Sequence, residues 1–482
     1  MPAADGRPFK AWPHGQSLAG GLYEDLSDST CAPCIQREMA GWAWVAILSL
    51  AGAGLFAVLL VLSRTPGVHE VFPWPKDFFE KGLIIHVIFS FVVWFLAVFG
   101  FIAYVATLQV GNGAPRLVIM GRIGWLATAV SVVLLAVPAM LDRGAPSLNN
   151  YVPVIIDPLY YAGLAVLAAG LALVVLRLVL NMPGRTATLN PLGTGALAGG
   201  VIYLIALFCF GLSLSELAGD PPTHAYNEDL FWAGGHVLQF VNVAMLVVGW
   251  YLLAGIAFNE PPMSTNAYNA ALLWLVVSAA TAPVLFWLYD PFTAEQILAF
   301  TNLQYALAPP TVLVAGALTV SILRRRRVAG SLPWRDPGFL CLVLSFAEFA
   351  LGGVLGLFVD GADARTPAHY HGVISGVNLV FMGLFFVFFL PLQDRLVGAG
   401  RAIRVQIWLF FGGQLLFSLG LFLAGGHGAM RKVAGNAQGL EGVLAYGGMV
   451  VYGIGSLLAI IGGVMFIVTV IRALLREPQA GV

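Results

Sequence analysis

Eight histidines are spread over the 482 residues: His14, His69, His86, His224, His236, His369, His371 and His427. Two of them, His369 and His371, stand one residue apart at the mouth of the apolar run "DARTPAHYHGVISGVNLVFMGLFF". Two residues along an α-helix amount to about 200° of rotation, so such a pair points to nearly opposite faces. One helix can then ligate two separate centres. Neutral imidazole is a common iron ligand, and a large apolar macrocycle such as haem fits between membrane helices better than a bare ion does.

The elements that must position these rings follow from composition. With 59% of residues hydrophobic and 10% charged, the chain has too few ionic groups to cover a water-soluble globule of its size, and it reads as an all-α integral membrane protein. Lys plus Arg equals Asp plus Glu at 24 each, a balance that points to no nucleic-acid partner. Twelve apolar runs reach the roughly 20 residues that a helix needs to cross a bilayer. They are 41–63, 83–108, 117–141, 152–180, 193–219, 229–258, 268–289, 296–323, 338–359, 369–392, 403–426 and 442–475. The runs are continuous rather than alternating, which excludes a β-barrel and requires helices that satisfy their own backbone. The organisation is an N-terminal segment (1–40), a twelve-helix membrane domain (41–475) and a short tail (476–482).

Twelve crossings put both termini on one side of the membrane. The N-terminal segment, the tail and the turns after spans 2, 4, 6, 8 and 10 hold most of the basic residues. Among them are Arg7, Lys10, Arg116, Arg185, Arg335, Arg395, Arg401, Arg476 and the run Arg324, Arg325, Arg326, Arg327. That face is expected to be cytoplasmic, in a bacterial-type inner membrane. No cleavable signal is expected in the polar first 40 residues. His86, His236, His369 and His371 then fall in the outer part of spans 2, 6 and 10, at similar depth. An ionisable side chain there costs a few kcal/mol unless paired or liganded, roughly 2.5–3.5 on insertion scales, which marks each as a functional residue. The competing role for any one of them is a helix-helix hydrogen bond. "CAPC", Cys31 to Cys34, lies on the reducing side, where it makes half a zinc site or simply two thiols. Cys209 and Cys341 read as small core residues.

Taken together, these residues resemble subunit I of the haem-copper oxidase superfamily, which includes cytochrome c oxidases, quinol oxidases and nitric oxide reductases, over nearly all twelve spans. The resemblance implies a low-spin haem with His86 and His371 as axial ligands and a high-spin, gas-binding haem on His369, both non-covalent and b-type. "EDLFWAGGHVLQFV" is similar to the family's segment whose histidine binds the active-site copper, here His236. In "GGHGAMRKVAG", Arg431 and Lys432 stand where the family has two arginines that pair with haem propionates, the alternative being a solvated loop pair. "ALAPPTVLV" (306–314) is similar to the family's proline-threonine segment of span 8.

Departures from the family are as informative. "LFWLYDPFT" puts Tyr289 and Asp290 where two copper-binding histidines belong. Phe240 stands where many oxidases have a cross-linked tyrosine, Val314 replaces a proton-uptake lysine, and no glutamate follows His236 closely. His236, Tyr289 and Asp290 are expected to approach one another. One imidazole, one phenolate and one carboxylate suit iron better than reduced copper, so the second metal is absent, non-haem iron or, least favoured, copper. Asp157 and Glu348 are acids at membrane depth, open to relay or structural roles, and Glu216 is interfacial. The function implied is a membrane oxidoreductase that reduces O2 or NO, drawing electrons from quinol, cytochrome c or a donor subunit. The alternative is a non-catalytic haem subunit that carries electrons or senses a gas. A transporter is disfavoured, because no inverted repeat or pair of broken helices is visible.

Overall fold

The computed structural model describes residues 33–64, 77–111, 115–182, 189–359, 361, 363–433 and 438–477. Cys31, Arg7, Lys10 and Arg185 lie outside the described residues. Among the described residues, twelve helices are long and apolar enough to cross a membrane. They are α1 (Pro33–Arg64), α2 (Phe78–Val110), α3 (Val118–Met140), α4 (Pro158–Asn181), α5 (Pro191–Glu216) and α6 (His224–Phe258). The rest are α7 (Thr265–Leu288), α8 (Ala294–Ala329), α9 (Pro337–Gly356), α10 (Arg365–Gln393), α11 (Arg401–Gly425) and α12 (Gly442–Leu475).

Helix ends move where polar residues intervene. The apolar run 152–180 begins before its helix, because β1 (Ala145–Ser147) pairs antiparallel with β2 (Val154–Ile156), Ser147 opposite Val154. Asp157 then caps α4 by accepting a hydrogen bond from Leu159 N at 2.8 Å, with Pro158 in the first turn. Asp157 therefore lies just before the first turn of α4 and not within the helix. It is a capping residue, ion-paired with Arg143 at 3.0 Å. Three spans are locally rewound: α2 carries a π-turn at Ile88–Val93, α10 another at Phe385–Phe389, and α8 a 3-10 turn at Gln304–Leu307 just before Pro309 and Pro310. Single π-turns insert one extra residue and re-aim the side chains beside them, often at functional sites.

The chain divides into two compact units, one of residues 33–53 with 80–330 and the other of 54–79 with 331–477. In the first unit, Arg177 is 2% exposed and pairs with the buried Glu38 at 2.9 Å, its guanidinium over the Tyr104 ring. A buried charge needs such a partner. The second unit packs through glycines, as membrane helices do where no hydrophobic gain is left to drive association. A methyl group added at Gly413 would lie 2.3 Å from Ala459 N, and one added at Gly420 would lie 2.4 Å from Tyr452 N, so α11 and α12 meet at backbone contact.

Candidate functional site

His86 lies in the helical turn of α2 just before the π-turn, and its Nδ1 is 2.9 Å from the carbonyl of Ala53. A carbonyl only accepts, so Nδ1 carries the proton and Nε2 keeps its lone pair. Ser90 Oγ donates to the His86 carbonyl at 2.6 Å, fixing that turn. Among the described residues no hydrogen bond is made to Nε2 of His86.

His369, in the second unit, repeats the arrangement. Its Nδ1 is 2.7 Å from the carbonyl of Gly352 on α9, and Nε2 is left with its lone pair. Gly356 makes room for the ring: a methyl group there would lie 2.6 Å from Nδ1. This pattern, with the distal nitrogen held by a backbone carbonyl, is how a metal-ligating histidine is oriented. With Nε2 unengaged, each ring has the donor that would hold a haem iron. His371 is half-buried, its ring 4.1 Å from that of Phe417.

His236 differs. It is 1% exposed, and its Nδ1 donates to the carbonyl of Trp232 one turn back, at 2.7 Å. Its Nε2, the acceptor in this tautomer, lies 2.8 Å from the hydroxyl of Tyr151, which must then donate. Gln304, in the 3-10 turn of α8, donates to the His236 carbonyl at 3.1 Å. Both ring nitrogens of His236 are thus engaged, and a metal at Nε2 would have to displace the phenol.

Tyr151 is the residue that sequence reasoning missed. It sits in the six-residue loop between β1 and β2 with a left-handed backbone, φ 64°, which is uncommon for a bulky residue. Successive contacts along one face of α6 impose that conformation. Ser147 Oγ meets His224 Nδ1 at 3.1 Å, and Asn150 donates its backbone N to Glu228 at 2.9 Å. Within the loop, the Asn149 side chain donates to the Val152 carbonyl at 2.6 Å. Gly235 then admits the ring, since a methyl group there would lie 2.5 Å from Tyr151 Cβ. The first glycine of "WAGGH", Gly234, is as constrained, with 2.3 Å to the Phe210 ring. Burial, and then the Glu228 carboxylate, push the Tyr151 phenol above its ordinary range, so it stays a donor at neutral pH. Tyr151, Val152, Gln239 and Asn242 also line a small cavity with Phe91 and Val92 of α2.

Tyr289 and Asp290 are not the partners that the structure gives to the His236 ring. Tyr289 is 38% exposed and ends the last turn of α7, and Asp290 is exposed, its carbonyl accepting from Thr293 at 2.7 Å. Pro291 after it fits a helix stop. Among the described residues no group of three His, Cys, Asp or Glu gathers to hold a metal ion. As arranged, these donors do not fit a second metal.

Arg431 and Lys432 are half-buried and follow Met430, which bridges Asp363, while Ala364 N donates to the Ala429 carbonyl at 2.9 Å. The segment is thereby fastened to the start of α10, the helix that carries His369 and His371. Lys432 takes a left-handed backbone, φ 59°. Phe240 and Val314 are both fully buried.

Comparison with known proteins agrees with this architecture. A family model described as Cytochrome C and Quinol oxidase polypeptide I matches residues 39–465. An uncharacterized protein of Rickettsia prowazekii (strain Madrid E) is 25% identical over 88% of this chain and 94% of its own length. One from Aquifex aeolicus (strain VF5) is 28% identical over 72% of this chain and 83% of its own. Cytochrome c oxidase subunit 1 of Thermus thermophilus is 24% identical over 75% and 70%. Among solved structures, a haem-copper terminal oxidase dimer superposes with a TM-score of 0.78 at 16% identity, covering 92% of this chain and 85% of that one. With its twelve apolar helices and a match across almost its whole length, the chain belongs to the cytochrome c and quinol oxidase polypeptide I family of membrane oxidoreductases.

Proposed function

We propose that the protein is a haem-carrying, respiratory oxidase-like subunit that reduces a small gas, O2 or NO, with a tyrosine-histidine pair in place of the second metal. His86 and His371 would hold a low-spin haem, and His369 would hold a high-spin one. The observation that carries the haem reading is the shared anchoring of His86 and His369, each with Nδ1–H on a backbone carbonyl and Nε2 available. When bound, haem iron exchanges electrons and offers the gas a coordination position.

The chain's own residues hold the rings in one tautomer, through the Ala53 and Gly352 carbonyls, and set charge near the haem edge through Arg431 and Lys432. Tyr151 keeps the His236 Nε2 lone pair occupied. Electrons come from quinol, cytochrome c or a donor subunit, and the subunit lies in a bacterial-type inner membrane with both termini cytoplasmic. The capped His236 also favours a second reading, a haem subunit that carries electrons or senses a gas without efficient turnover.

One experiment tests the proposal: optical spectra and metal analysis of the purified protein beside His86→Ala and His369→Ala. His86→Ala should remove the six-coordinate low-spin signal and leave CO binding, and His369→Ala should do the reverse. Metal in excess of haem iron should be absent. Equal loss of both signals in each variant sinks the ligand assignment, and about one copper per two haems sinks the metal-free pair. Measured O2 and NO turnover of the same preparation separates the two readings.

A further inference from the structure

The second unit holds an acid that the proposed function does not use. Glu348 of α9 is 0% exposed, and neither of its carboxylate oxygens has a hydrogen-bond partner among the described residues. Charged groups on the helices packed against α9 are engaged elsewhere or exposed. Arg365 is paired with Asp363 at 2.7 Å, Arg404 donates to the Ala399 carbonyl at 2.9 Å, and Arg401 is exposed. An isolated buried carboxylate is among the costliest groups a protein can carry, whereas the neutral acid costs far less.

Its position ties it to His369. Residues 345, 348, 352 and 356 recur at three- and four-residue spacing on one face of α9, and that face lies against α10 at backbone contact. Ser345 Oγ donates to the Gly376 carbonyl at 2.7 Å, and the Gly352 carbonyl takes the Nδ1 proton of His369 at 2.7 Å. Methyl groups added at Gly352, Gly372 and Gly376 would meet the opposite helix at 2.3, 2.7 and 2.8 Å. Such a seam has no slack. Glu348 lies one turn, about 6 Å of helix rise, from the carbonyl that orients the ring. Gln406, Gln414 and Ser418 lie along α11, which also packs against α9, and add buried oxygens without partners.

We infer that Glu348 is held as the neutral acid in the α9–α10 seam and responds to the charge on an iron bound at His369. The inference rests on the haem assignment for its second half only. An acid one turn from the carbonyl that anchors His369 would feel a change of charge on a metal held by that ring, because Coulomb interactions are weakly screened in a dry interior.

Infrared spectroscopy of the haem-loaded protein in detergent tests it. The H2O-minus-D2O spectrum should contain the carbonyl stretch of a protonated, weakly hydrogen-bonded carboxyl. The band should vanish in Glu348→Gln and shift without vanishing in Glu348→Asp. The reduced-minus-oxidised spectrum should show the same band displaced. In His369→Ala that redox response should be lost while the band itself persists. A wild-type spectrum without the band, or one that Glu348→Gln and Glu348→Asp leave unchanged, overturns the inference. A band present but indifferent to haem reduction overturns the coupling. If the haem assignment alone were wrong, the redox response would survive in His369→Ala while the Glu348 band still followed the two substitutions.

Discussion

Replacing Tyr151 by Phe removes one hydroxyl and leaves the ring in its place against Gly235 and Trp232. The hydroxyl's partner is Nε2 of His236, a ring that is 1% exposed. Loss of a hydrogen bond whose partner stays buried costs the desolvation of that partner, about 1–3 kcal/mol, rather than the smaller net value of a typical bond. In a His236→Leu background the acceptor is gone and the hydroxyl faces apolar groups. There the same Tyr151→Phe change should be neutral or mildly stabilising, since removing both partners avoids the penalty. The coupling between the two positions is therefore about 1 kcal/mol or more, large for a contacting pair in one network. Denaturant titration in mixed micelles of the wild type, both single variants and the double variant measures it. An equal cost for Tyr151→Phe in both backgrounds would refute the pairing and return Tyr151 to a packing role. A tightly bound metal in the wild type, lost with His236 and unaffected by Tyr151→Phe, would do so as well.

Further outcomes are expected. Neutralising Arg431 and Lys432 together should lower the low-spin haem's midpoint potential in redox titration, because nearby positive charge favours the reduced iron; an unchanged potential makes them loop residues. Burial, opposed by the backbone N–H groups of Gly338 and Phe339, pushes the Asp336 carboxyl to about 6 from its ordinary 3.8. A folded-state value above the unfolded one means that ionisation penalises the folded state, so this group's contribution falls as pH rises from 3.8 to about 6. Asp336→Asn keeps the cap on Phe339 N and should therefore stabilise by on the order of 1 kcal/mol at pH 7 and by nothing below pH 4, read by unfolding at both values. The Tyr151 phenol has the same sign at higher pH: stability should fall as pH passes the ordinary tyrosine value of 10.0, and less so in Tyr151→Phe.

Some of this protein was legible from residue order because the physics concerned is local or one-dimensional. Crossing a bilayer needs a run of apolar residues of fixed length, so the twelve spans could be counted directly. The H-x-H spacing of His369 and His371 states a helical geometry by itself. The glycines of "WAGGH" were visible as letters, but their purpose was not. Gly235 exists to admit Tyr151, a residue 84 positions earlier whose left-handed backbone no local preference announces. Tertiary contacts hold it there, through Glu228, His224 and Gly235. Asp157 read as a residue inside a helix because hydropathy counts a short buried strand and a helix alike; pairing of Val154–Ile156 with Ala145–Ser147 made it the cap of α4 instead. Tyr289 and Asp290 took their expected role from alignment with a motif, and motif position does not say which side chains share a volume. That volume is set by how α6 and the β1–β2 loop pack, which is why the partner of His236 turned out to be a tyrosine that hydropathy had left at the edge of a span.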